Sequence, residues 1–392
     1  MCGIAGFCNF KEDFEENTDY WNFRLEKMRA VLAHRGNDAR GRFLKKHIGL
    51  SHSRLAIRDI LCGDQPMTRT HNGYDYTICY NGEIYNTDEL IPELSENGFV
   101  CSTTSDTEVI LYAYIHWGAD FVNRLNGIFA FAIWDAAKNR LLLYRDRVGV
   151  KPLFYAIRGD SLVFGSEPKA CFAHPAVKPE LDKQGLQELL AIGPAHTSGL
   201  SLFKDLFEVL PGHFMIYSRD GLHDETYWEL TSREHTESYR DTVAHTRFLV
   251  EDAVKRQMVS DVPVCTFLSG GIDSSIVTAI AANYMNTRGK TLNTFSFDFK
   301  DNDRYFKANA FQPERDLPYV NRMLEEYETA HSYLECDENS LFKALFAAVD
   351  AKDMPGMTDV DSSLLYFCSL VSRKNKVALT GECADEIFGG YP

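Results

Sequence analysis

Short apolar or alternating segments dominate the first half of the chain and predict β-strands. They are Gly3–Phe7, Leu50–Ile57, Tyr76–Tyr80, Gly127–Trp134, Arg140–Tyr144, Leu153–Ile157 and Leu162–Phe164. Apolar residues recur at helical spacing near Trp21–Leu32, Thr87–Glu96, Thr107–Trp117 and Lys183–Ala191. We therefore expect a layered α+β domain in this half of the chain.

The second half alternates helices with short apolar strands. A charged helix over about residues 237–258 is followed by strands at 262–268, 294–299 and 377–380 and by helices near 275–282, 319–326, 341–349 and 362–372. Such alternation predicts an α/β domain with a doubly wound parallel sheet, whose site lies at the strand ends. Because residues 210–232 are rich in turn signals, we place the first domain at 1–212, a linker at 213–235 and the second domain at 236–392.

Composition narrows the functional classes. The chain has 392 residues and a formal net charge of −15, which argues against a nucleic-acid partner. Its ten cysteines include no C-x-x-C pair that would suggest zinc or redox work. The N-terminus lacks the features of a signal peptide, and no segment reaches the length of a membrane span. We expect a reduced, cytoplasmic protein without membrane contact.

The segment Leu268–Ser275 predicts a phosphate-binding loop between a buried strand and a helix. Its two adjacent glycines let the backbone approach an anion closely, and the helix start offers unpaired N–H groups. An ordinary strand-to-helix turn with an Asp or Ser cap is the alternative. A Walker-type loop is excluded because no G-x-x-x-x-G-K-[ST] occurs in the sequence.

The same octapeptide resembles the signature of the ATP pyrophosphatase superfamily, whose members adenylate a substrate and release pyrophosphate. The resemblance implies that Asp273 helps to hold Mg²⁺. It also implies a set of pyrophosphate-binding residues, namely Ser269, Gly270, Gly271, Ser274 and Ser275.

Cys2 is a candidate N-terminal nucleophile. Removal of Met1 would leave a thiol and a free α-amine on one residue, and an amine with a pKa of roughly 7.7–8.0 can accept the thiol proton. The alternative is a retained start methionine followed by an unremarkable cysteine. Three polar clusters accompany Cys2, and each has a structural alternative: Arg54–Ile57 could carry a surface cation, Tyr80–Asn86 a hairpin turn, and Ser105–Glu108 a helix cap.

Together with Met1–Gly6 and His34–Asp38, these clusters resemble the class II glutamine amidotransferases. The resemblance implies a four-layer αββα Ntn-hydrolase fold and a cysteine thioester formed from glutamine. The oxyanion hole would consist of the Asn81 side chain and the Gly82 N–H. Arg54 would bind the glutamine carboxylate, and Asp106 with Glu83 the α-ammonium group. The implied glutamine site also includes Leu55, Ala56, Ile57 and Arg58. Asn37 stands where the family usually has proline.

The segment Val377–Tyr391 predicts another buried strand that ends in an acidic, glycine-bracketed turn. Asp385 and Glu386 could be solvated residues at a helix start. In a parallel sheet, however, this turn and the Asp273 loop would project at the same edge, where Asp273 and Asp385 could hold Mg²⁺ on ATP.

With motifs in both halves, the chain resembles the glutamine-hydrolysing asparagine synthetases. The resemblance implies ATP-dependent conversion of aspartate to asparagine through β-aspartyl-AMP, with glutamate, AMP and pyrophosphate as the other products. Glu382 would act in adenylate formation or in ammonia deprotonation. The implied nucleotide-bordering residues are Leu268, Phe297, Thr380 and Gly381. Family analogy favours a homodimer.

Family members continue beyond this motif, so we expect an incomplete second domain that ends here at Gly389–Pro392. Two alternatives stay open. One is amidation of another carboxylate, such as a cell-wall or capsule precursor, with an acceptor pocket around residues 355–361. The other is a glutaminase without ligase activity. A β-lactam-forming synthetase is disfavoured by Cys2, and a sugar-phosphate amidotransferase by the Ser269–Ser275 loop.

Overall fold

The alternation of apolar and polar residues folds into two separate structural units in the computed structural model, which describes residues 1–308 and 313–390. The first unit comprises residues 1–232 together with 352–356. The second comprises the described residues of 233–351 and 357–390. Tyr391 and Pro392, which close the acidic motif of the sequence, lie outside the described residues.

The first unit contains two six-stranded antiparallel sheets. Its strands are β1 Gly3–Asn9, β2 Ala39–Lys45, β3 Ile48–Arg54, β4 Met67–His71, β5 Tyr74–Ile84, β6 Gly127–Asp135, β7 Arg140–Arg145, β8 Phe154–Arg158, β9 Ser161–Gly165, β10 Phe207–Glu208, β11 His213–Ser218 and β12 Gly221–Thr226. One sheet has the order β10-β8-β9-β1-β3-β2 and the other β12-β11-β7-β6-β5-β4.

Five α-helices accompany these sheets. They are α1 Thr18–Ala30, α2 Thr87–Glu96, α3 Asp106–Trp117, α4 Pro168–Phe172 and α5 Lys183–Ala191, with 3₁₀ turns at Phe14–Asn17, Ala33–Arg35 and Ala119–Arg124. One buried apolar cluster joins the facing sides of the two sheets, including Ile4 of β1 and Cys79 of β5. A second cluster packs α2 and α3 against β5 to β7, and a third packs α1 and α4 against the other sheet. The predicted α+β organisation is confirmed.

The predicted linker at residues 213–235 is wrong for its first part. Strand β11 pairs with β7 and forms a hairpin with β12, so residues 213–226 belong to the first unit. The polar stretch Ser218–Gly221 makes the tight turn of this hairpin rather than a domain connection. The outer strand β12 is largely exposed, and its polar sequence therefore carries no apolar pattern.

The second unit is an α/β domain around a four-stranded parallel sheet. Its strands are β13 Val264–Phe267, β14 Leu292–Phe299, β15 Thr329–Cys336 and β16 Val377–Leu379, in the order β15-β14-β13-β16. Its helices are α6 Tyr239–Gln257, α7 Ile272–Asn286, α8 Asn302–Tyr305, α9 Leu317–Glu326, α10 Glu338–Lys352, α11 Thr358–Val371 and α12 Ala384–Phe388. The predicted parallel sheet is confirmed. Strand β15 was not predicted, because it is an edge strand with polar residues and shows no apolar pattern.

The strand order places a crevice between β13 and β16. From β13 the chain moves outward to β14 and β15, then returns to the opposite side of β13. At such a reversal the loops that follow the two central strands diverge and leave room for a ligand. The Leu268–Gly271 loop follows β13, and the acidic motif follows β16.

None of the helices in the described parts of the chain combines the length and the apolar composition that a bilayer crossing requires.

Candidate active sites

Cys2 lies directly before β1, which fixes its position. Gly3 pairs with Ser53 of β3, and this register brings the Cys2 thiol to the end of β3. The backbone N–H of Leu55 donates to Cys2 Sγ at 3.4 Å, and the thiol lies 3.6 Å from the Leu55 carbonyl oxygen. Burial raises the pKa of this half-buried thiol, so a nearby base is needed to form the thiolate.

A cation network that the sequence did not predict holds the backbone at Cys2. Arg35 Nε donates to the Cys2 carbonyl oxygen at 2.8 Å, and its Nη1 donates to Glu167 Oε1 at 2.7 Å. Lys169 Nζ and His34 Nε2 lie 2.7 and 3.0 Å from the same carboxylate. Burial acts to raise the Glu167 pKa, but the hydrogen bonds and charges of its partners lower it to about 2. His34 and Arg35 belong to the segment His34–Asp38 that the sequence analysis names, whereas no sequence motif includes Glu167.

Asn81 and Gly82 lie inside β5 and do not form a hairpin turn, which removes the structural alternative for this pair. Side chains alternate along a strand, so Asn81 shares the face of Cys79, which packs between the two sheets beside Ile4. Asn81 is 1% exposed, and its Nδ2 has no hydrogen-bond partner among the residues that the structure describes. A buried amide donor without an acceptor is costly and is suited to a ligand oxygen.

The N–H of Gly82 points to the open edge of β5. The N–H of Tyr80 donates to Gln65 Oε1 at 2.6 Å, and that of Ile84 donates to Asp106 Oδ2 at 3.0 Å. Alternate N–H groups of a strand point to the same edge, so the Gly82 N–H between them points there as well. Strand β4 covers this edge only as far as residue 78.

The partner strand leaves this donor free. Phe129 lies opposite Gly82 in β6, but its N–H donates to Asp146 Oδ2 and its carbonyl oxygen accepts from the Asp146 N–H. A Cβ on Gly82 would lie 2.3 Å from the carbonyl oxygen of Ile128, so only glycine fits here. Asn81 Nδ2 and the Gly82 N–H are thus two donors on successive residues, in line with the predicted oxyanion hole.

Two carboxylates converge beside this strand, the buried one of Asp106 and the half-buried one of Glu83. Burial and the neighbouring Asp106 raise the pKa of Glu83 to about 8, and burial raises that of Asp106. Asp106 Oδ2 accepts from the Tyr80 hydroxyl at 2.9 Å, and Arg58 Nη1 lies 4.0 Å away. Arg58 and Lys151 act to lower the Glu83 pKa but do not offset its burial and the charge of Asp106, so a bound ammonium group would stabilise the ionised pair.

Arg54 is buried and is not a surface cation. Its guanidinium donates to the carbonyl oxygens of Arg58, Asp59 and Ile60, and it pairs with the Asp64 carboxylate at 3.0 Å. Its donors therefore fix the loop after β3, and its side chain also lines the pocket at Cys2. The other pocket-lining residues are Leu55, Ile57, Arg58, Gly63, Gln65, Tyr80, Gly82, Glu83, Ser105, Asp106 and Thr107.

Two predictions about this loop need refinement. The predicted strand Leu50–Ile57 ends at Arg54, so that residues 55–57 turn into the pocket wall. Ala56 is buried and donates its N–H to Asp38 Oδ2 at 2.8 Å, which ties the loop to the Arg35–Asp38 segment. Of the pocket residues to which the sequence assigned no role, Tyr80, Ser105 and Thr107 lay within the named polar clusters, whereas Gln65 carried no local signal.

The Leu268–Gly271 loop connects β13 to α7, whose first helical residue is Ile272. Gly270 has φ +86°, and a Cβ there would lie 2.9 Å from the Asp316 carbonyl oxygen. Ser274 Oγ lies 3.0 Å from Ser269 Oγ and accepts from the Ser269 N–H at 3.2 Å. No side chain caps α7, so its first N–H groups remain available to an anion.

Gly381 brings the loop after β16 against the start of α7. A Cβ on Gly381 would lie 2.8 Å from both the Asp273 Cβ and the Ser274 N–H nitrogen. Thr380, Gly381 and Glu382 thus lie beside Asp273, as the predicted strand-edge arrangement requires. Asp385 lies in the first turn of α12, and Gly390 approaches its carboxylate so closely that a Cβ would not fit.

Phe297 belongs to an apolar cluster. Its ring centroid lies 5.1 Å from that of Phe367 and 5.8 Å from that of Phe299. Leu268 is buried, and its N–H donates to the Phe295 carbonyl oxygen at 2.8 Å. Within the described residues, no three His, Cys, Asp or Glu side chains are arranged to hold a metal ion by themselves.

Comparisons with known proteins find relatives of both units. Residues 1–228 match the family model described as glutamine amidotransferase domain, and residues 245–392 match the one described as asparagine synthase. Asparagine synthetase [glutamine-hydrolyzing] 3 of Bacillus subtilis is 49% identical over 100% of this chain and 63% of the relative. The chain thus spans less than two thirds of that relative's length.

A relative of closer length is putative asparagine synthetase [glutamine-hydrolyzing] 2 of Methanocaldococcus jannaschii. It is 32% identical, and the match covers 100% of this chain and 76% of the relative. Among solved structures, glutamine phosphoribosylpyrophosphate amidotransferase of B. subtilis is 16% identical with a TM-score of 0.44, covering 100% of this chain and 97% of that one. This score is too low to support an inference by itself.

Proposed function

The chain belongs to the glutamine-hydrolysing asparagine synthetase family, and we propose on that premise that it uses ammonia from glutamine to amidate L-aspartate. ATP would activate aspartate as β-aspartyl-AMP, and the products would be asparagine, glutamate, AMP and pyrophosphate. The observation that carries the glutaminase half is the buried, unpartnered Asn81 Nδ2 on the strand face that packs against β1.

In the proposed glutaminase reaction, the α-amine of mature Cys2 takes the thiol proton while sulfur attacks the glutamine carboxamide. Asn81 Nδ2 and the Gly82 N–H donate to the oxyanion. The amine returns its proton to the leaving nitrogen, the C–N bond breaks, and ammonia leaves a thioester at Cys2. Water then attacks the thioester carbonyl, and the C–S bond breaks to release glutamate and the thiol.

Glutamine recognition would use the charges around the same pocket. The α-ammonium group would lie between Glu83 and Asp106, whose pKa values are raised mainly by burial and, for Glu83, also by the charge of Asp106. Arg54 would face the α-carboxylate, supported by the loop that its guanidinium fixes. Leu55, Ile57 and Arg58 would complete the wall, with Ala56 anchoring the loop from inside.

ATP would bind in the crevice between β13 and β16. Its departing pyrophosphate would contact the N–H groups and hydroxyls of the predicted loop: Ser269, Gly270, Gly271, Ser274 and Ser275. Mg²⁺ fits this place because a metal on ATP needs only one or two carboxylates, here Asp273 and Asp385, with the phosphates supplying further oxygens. It would neutralise charge on the leaving pyrophosphate.

Leu268, Phe297, Thr380 and Gly381 would border the nucleotide. Glu382 would act on the adenylate or on the incoming ammonia. We further propose a four-layer Ntn-hydrolase arrangement for the first unit, in keeping with its three apolar clusters, and a doubly wound arrangement for the second. A cytoplasmic homodimer is proposed from family analogy alone.

The test measures aspartate-dependent release of AMP and pyrophosphate with glutamine or ammonium as nitrogen source. Cys2→Ala is expected to abolish glutamine hydrolysis and glutamine-dependent synthesis while leaving ammonium-dependent synthesis in place. Retained glutamine hydrolysis in this variant would refute Cys2 as the nucleophile. Intact hydrolysis without any AMP release would refute the synthetase half for this chain.

A further inference from the structure

Lys151 is a buried ammonium group that the proposed reaction does not yet use. It lies in the loop between β7 and β8 and is 8% exposed. Its Nζ donates to the thioether sulfur of Met1 at 2.9 Å. Over the described residues, no carboxylate oxygen lies within 4.0 Å of this Nζ.

The loop that carries Lys151 is rigidly held. The Lys151 N–H donates to Asp146 Oδ2 at 2.9 Å, and its carbonyl oxygen accepts from Arg145 Nε at 3.1 Å. The side chain is therefore directed to the N-terminus by the fold. A thioether is a weak acceptor, and a buried lysine without an anionic partner within hydrogen-bond distance destabilises the folded state. Such a cost calls for a function.

The charge persists in this environment. Burial, aided by the charge of Arg35, lowers the pKa of Lys151 to about 8, while Glu83, Asp146 and Cys2 act to raise it. Lys151 is therefore mostly protonated at pH 7. In the chain with Met1 present, the pKa of the Met1 α-amine is lowered to about 5. Burial is the largest cause, and the charges of Arg35 and Lys151 lower the pKa further, whereas Cys2 and Glu83 act to raise it.

Excision of Met1 would remove the one hydrogen-bond acceptor that Lys151 Nζ has in the described parts of the chain, and it would place the α-amine of Cys2 at the new terminus. The charged and titratable groups facing this terminus are then the cations Arg35, Arg54 and Lys151 and the acid Glu83, with Asp146 next to Lys151. Arg35 donates to the Cys2 carbonyl oxygen and to Glu167, with its Nη2 left without a partner in the described chain, and Arg54 donates to Ile60 and Asp64. Lys151 Nζ would then have no acceptor among the described residues.

We propose that the Lys151 ammonium group keeps the α-amine of mature Cys2 uncharged at neutral pH, so that this amine is free to act as the general base. A nearby positive charge disfavours a second one, and an amine that is already protonated cannot take the thiol proton. Lys151 thus acts through the amine and does not itself contact glutamine. This inference rests on the proposed role of Cys2 as an N-terminal nucleophile.

The experiment compares pH profiles of glutamine hydrolysis for the full chain, Lys151→Met and Lys151→Arg, after mass spectrometry has established Met1 removal in each. Lys151→Met removes the charge and retains an unbranched apolar side chain. For Lys151→Met, the acid limb of the kcat/KM profile is expected to move to higher pH by about one unit. This shift corresponds to a tenfold lower kcat/KM near pH 6 and to little change above pH 9. Lys151→Arg is expected to keep the wild-type limb.

Superimposed acid limbs for wild type and Lys151→Met would overturn the inference, and so would equal shifts in Lys151→Met and Lys151→Arg, which would indicate packing instead of charge. If Lys151→Met does not fold by circular dichroism, Lys151→Gln provides a second uncharged variant. Failure of the proposed function is separable, because Cys2→Ala would then still hydrolyse glutamine whatever the Lys151 variants do.

Discussion

Replacement of Asn81 by alanine should separate catalysis from stability. In the folded protein Asn81 is 1% exposed, and its Nδ2 lacks an acceptor within the part of the chain that the structure describes. A buried donor without an acceptor costs about 1–3 kcal/mol. Its removal offsets much of the packing lost on truncation, so we expect the free energy of unfolding to change by no more than about 1 kcal/mol.

The same substitution should greatly reduce glutamine hydrolysis. Loss of one oxyanion-hole donor typically lowers kcat by about 10²–10³-fold, or roughly 3–4 kcal/mol of transition-state stabilisation. Because Asn81 Nδ2 would bind the oxyanion more strongly than the ground-state carbonyl, KM for glutamine should change little. The assay is steady-state glutamate release, paired with urea unfolding of the same preparations.

Asn9→Ala is the matched control. Asn9 is also buried, but its Nδ2 donates to Ser161 Oγ at 2.8 Å and its Oδ1 accepts from the Lys11 N–H at 2.8 Å. We expect Asn9→Ala to lose about 1–3 kcal/mol of stability and to keep kcat. The reasoning is refuted if Asn81→Ala loses less than tenfold in kcat, or if its activity falls only in proportion to a loss of folded protein.

Three further predictions concern charge and close approach. In Cys2→Ala, glutamine binding at pH 7 should release close to one proton, because the bound ammonium group would ionise Glu83, whose pKa is about 8. Calorimetry in buffers of different ionisation enthalpy would measure the number of protons released. An equal release from Glu83→Gln in the same Cys2→Ala background would contradict this prediction. Because the Glu167 pKa is lowered to about 2, wild type should exceed Glu167→Gln in the free energy of unfolding by up to about 3 kcal/mol at pH 7. This difference should shrink as the pH falls below about 4.5. Urea unfolding that gives the same difference at every pH would contradict the prediction. Gly381→Ala should raise KM for ATP at least tenfold, with glutamine hydrolysis unchanged, because its Cβ would push the loop after β16 off α7. The control is Gly289→Ala, which strains the backbone at φ +66° but meets no other atom, and equal KM values in the two variants would count against the proposed ATP crevice.

Much of the molecule follows from local sequence. The strand-loop-helix order around Gly270 and Gly271 depends on residues within a few positions of each other, and the structure confirms it. Apolar spacing likewise predicted β1, β3 and β5 to β9 and four helices of the first unit, but it did not predict β2, β4, β10 or β11. Where neighbouring residues carried no apolar pattern, as in the exposed strand β12 and the edge strand β15, the sequence interpretation failed.

For Asn81-Gly82 the local sequence predicted a turn, whereas the family resemblance implied an oxyanion hole, and the sequence could not choose between them. The choice depends on pairing with β6, which makes the dipeptide part of a strand and turns the Gly82 N–H to the open edge. A turn and a strand are close in intrinsic energy for two residues. Long-range pairing over 49 positions, as between Asn81 and Ala130, supplies the difference.

Sequence by itself determined the types of elements, the family and the candidate nucleophile, because these depend on residues close together in the chain. Only the tertiary structure brought Arg35 to Glu167, Glu83 to Asp106 and Lys151 to Met1. These pairs are joined by sheet register and packing between residues up to 150 positions apart. The burial of these groups and the close approach of their charges, which set the pKa values at the site, arise only when the chain folds.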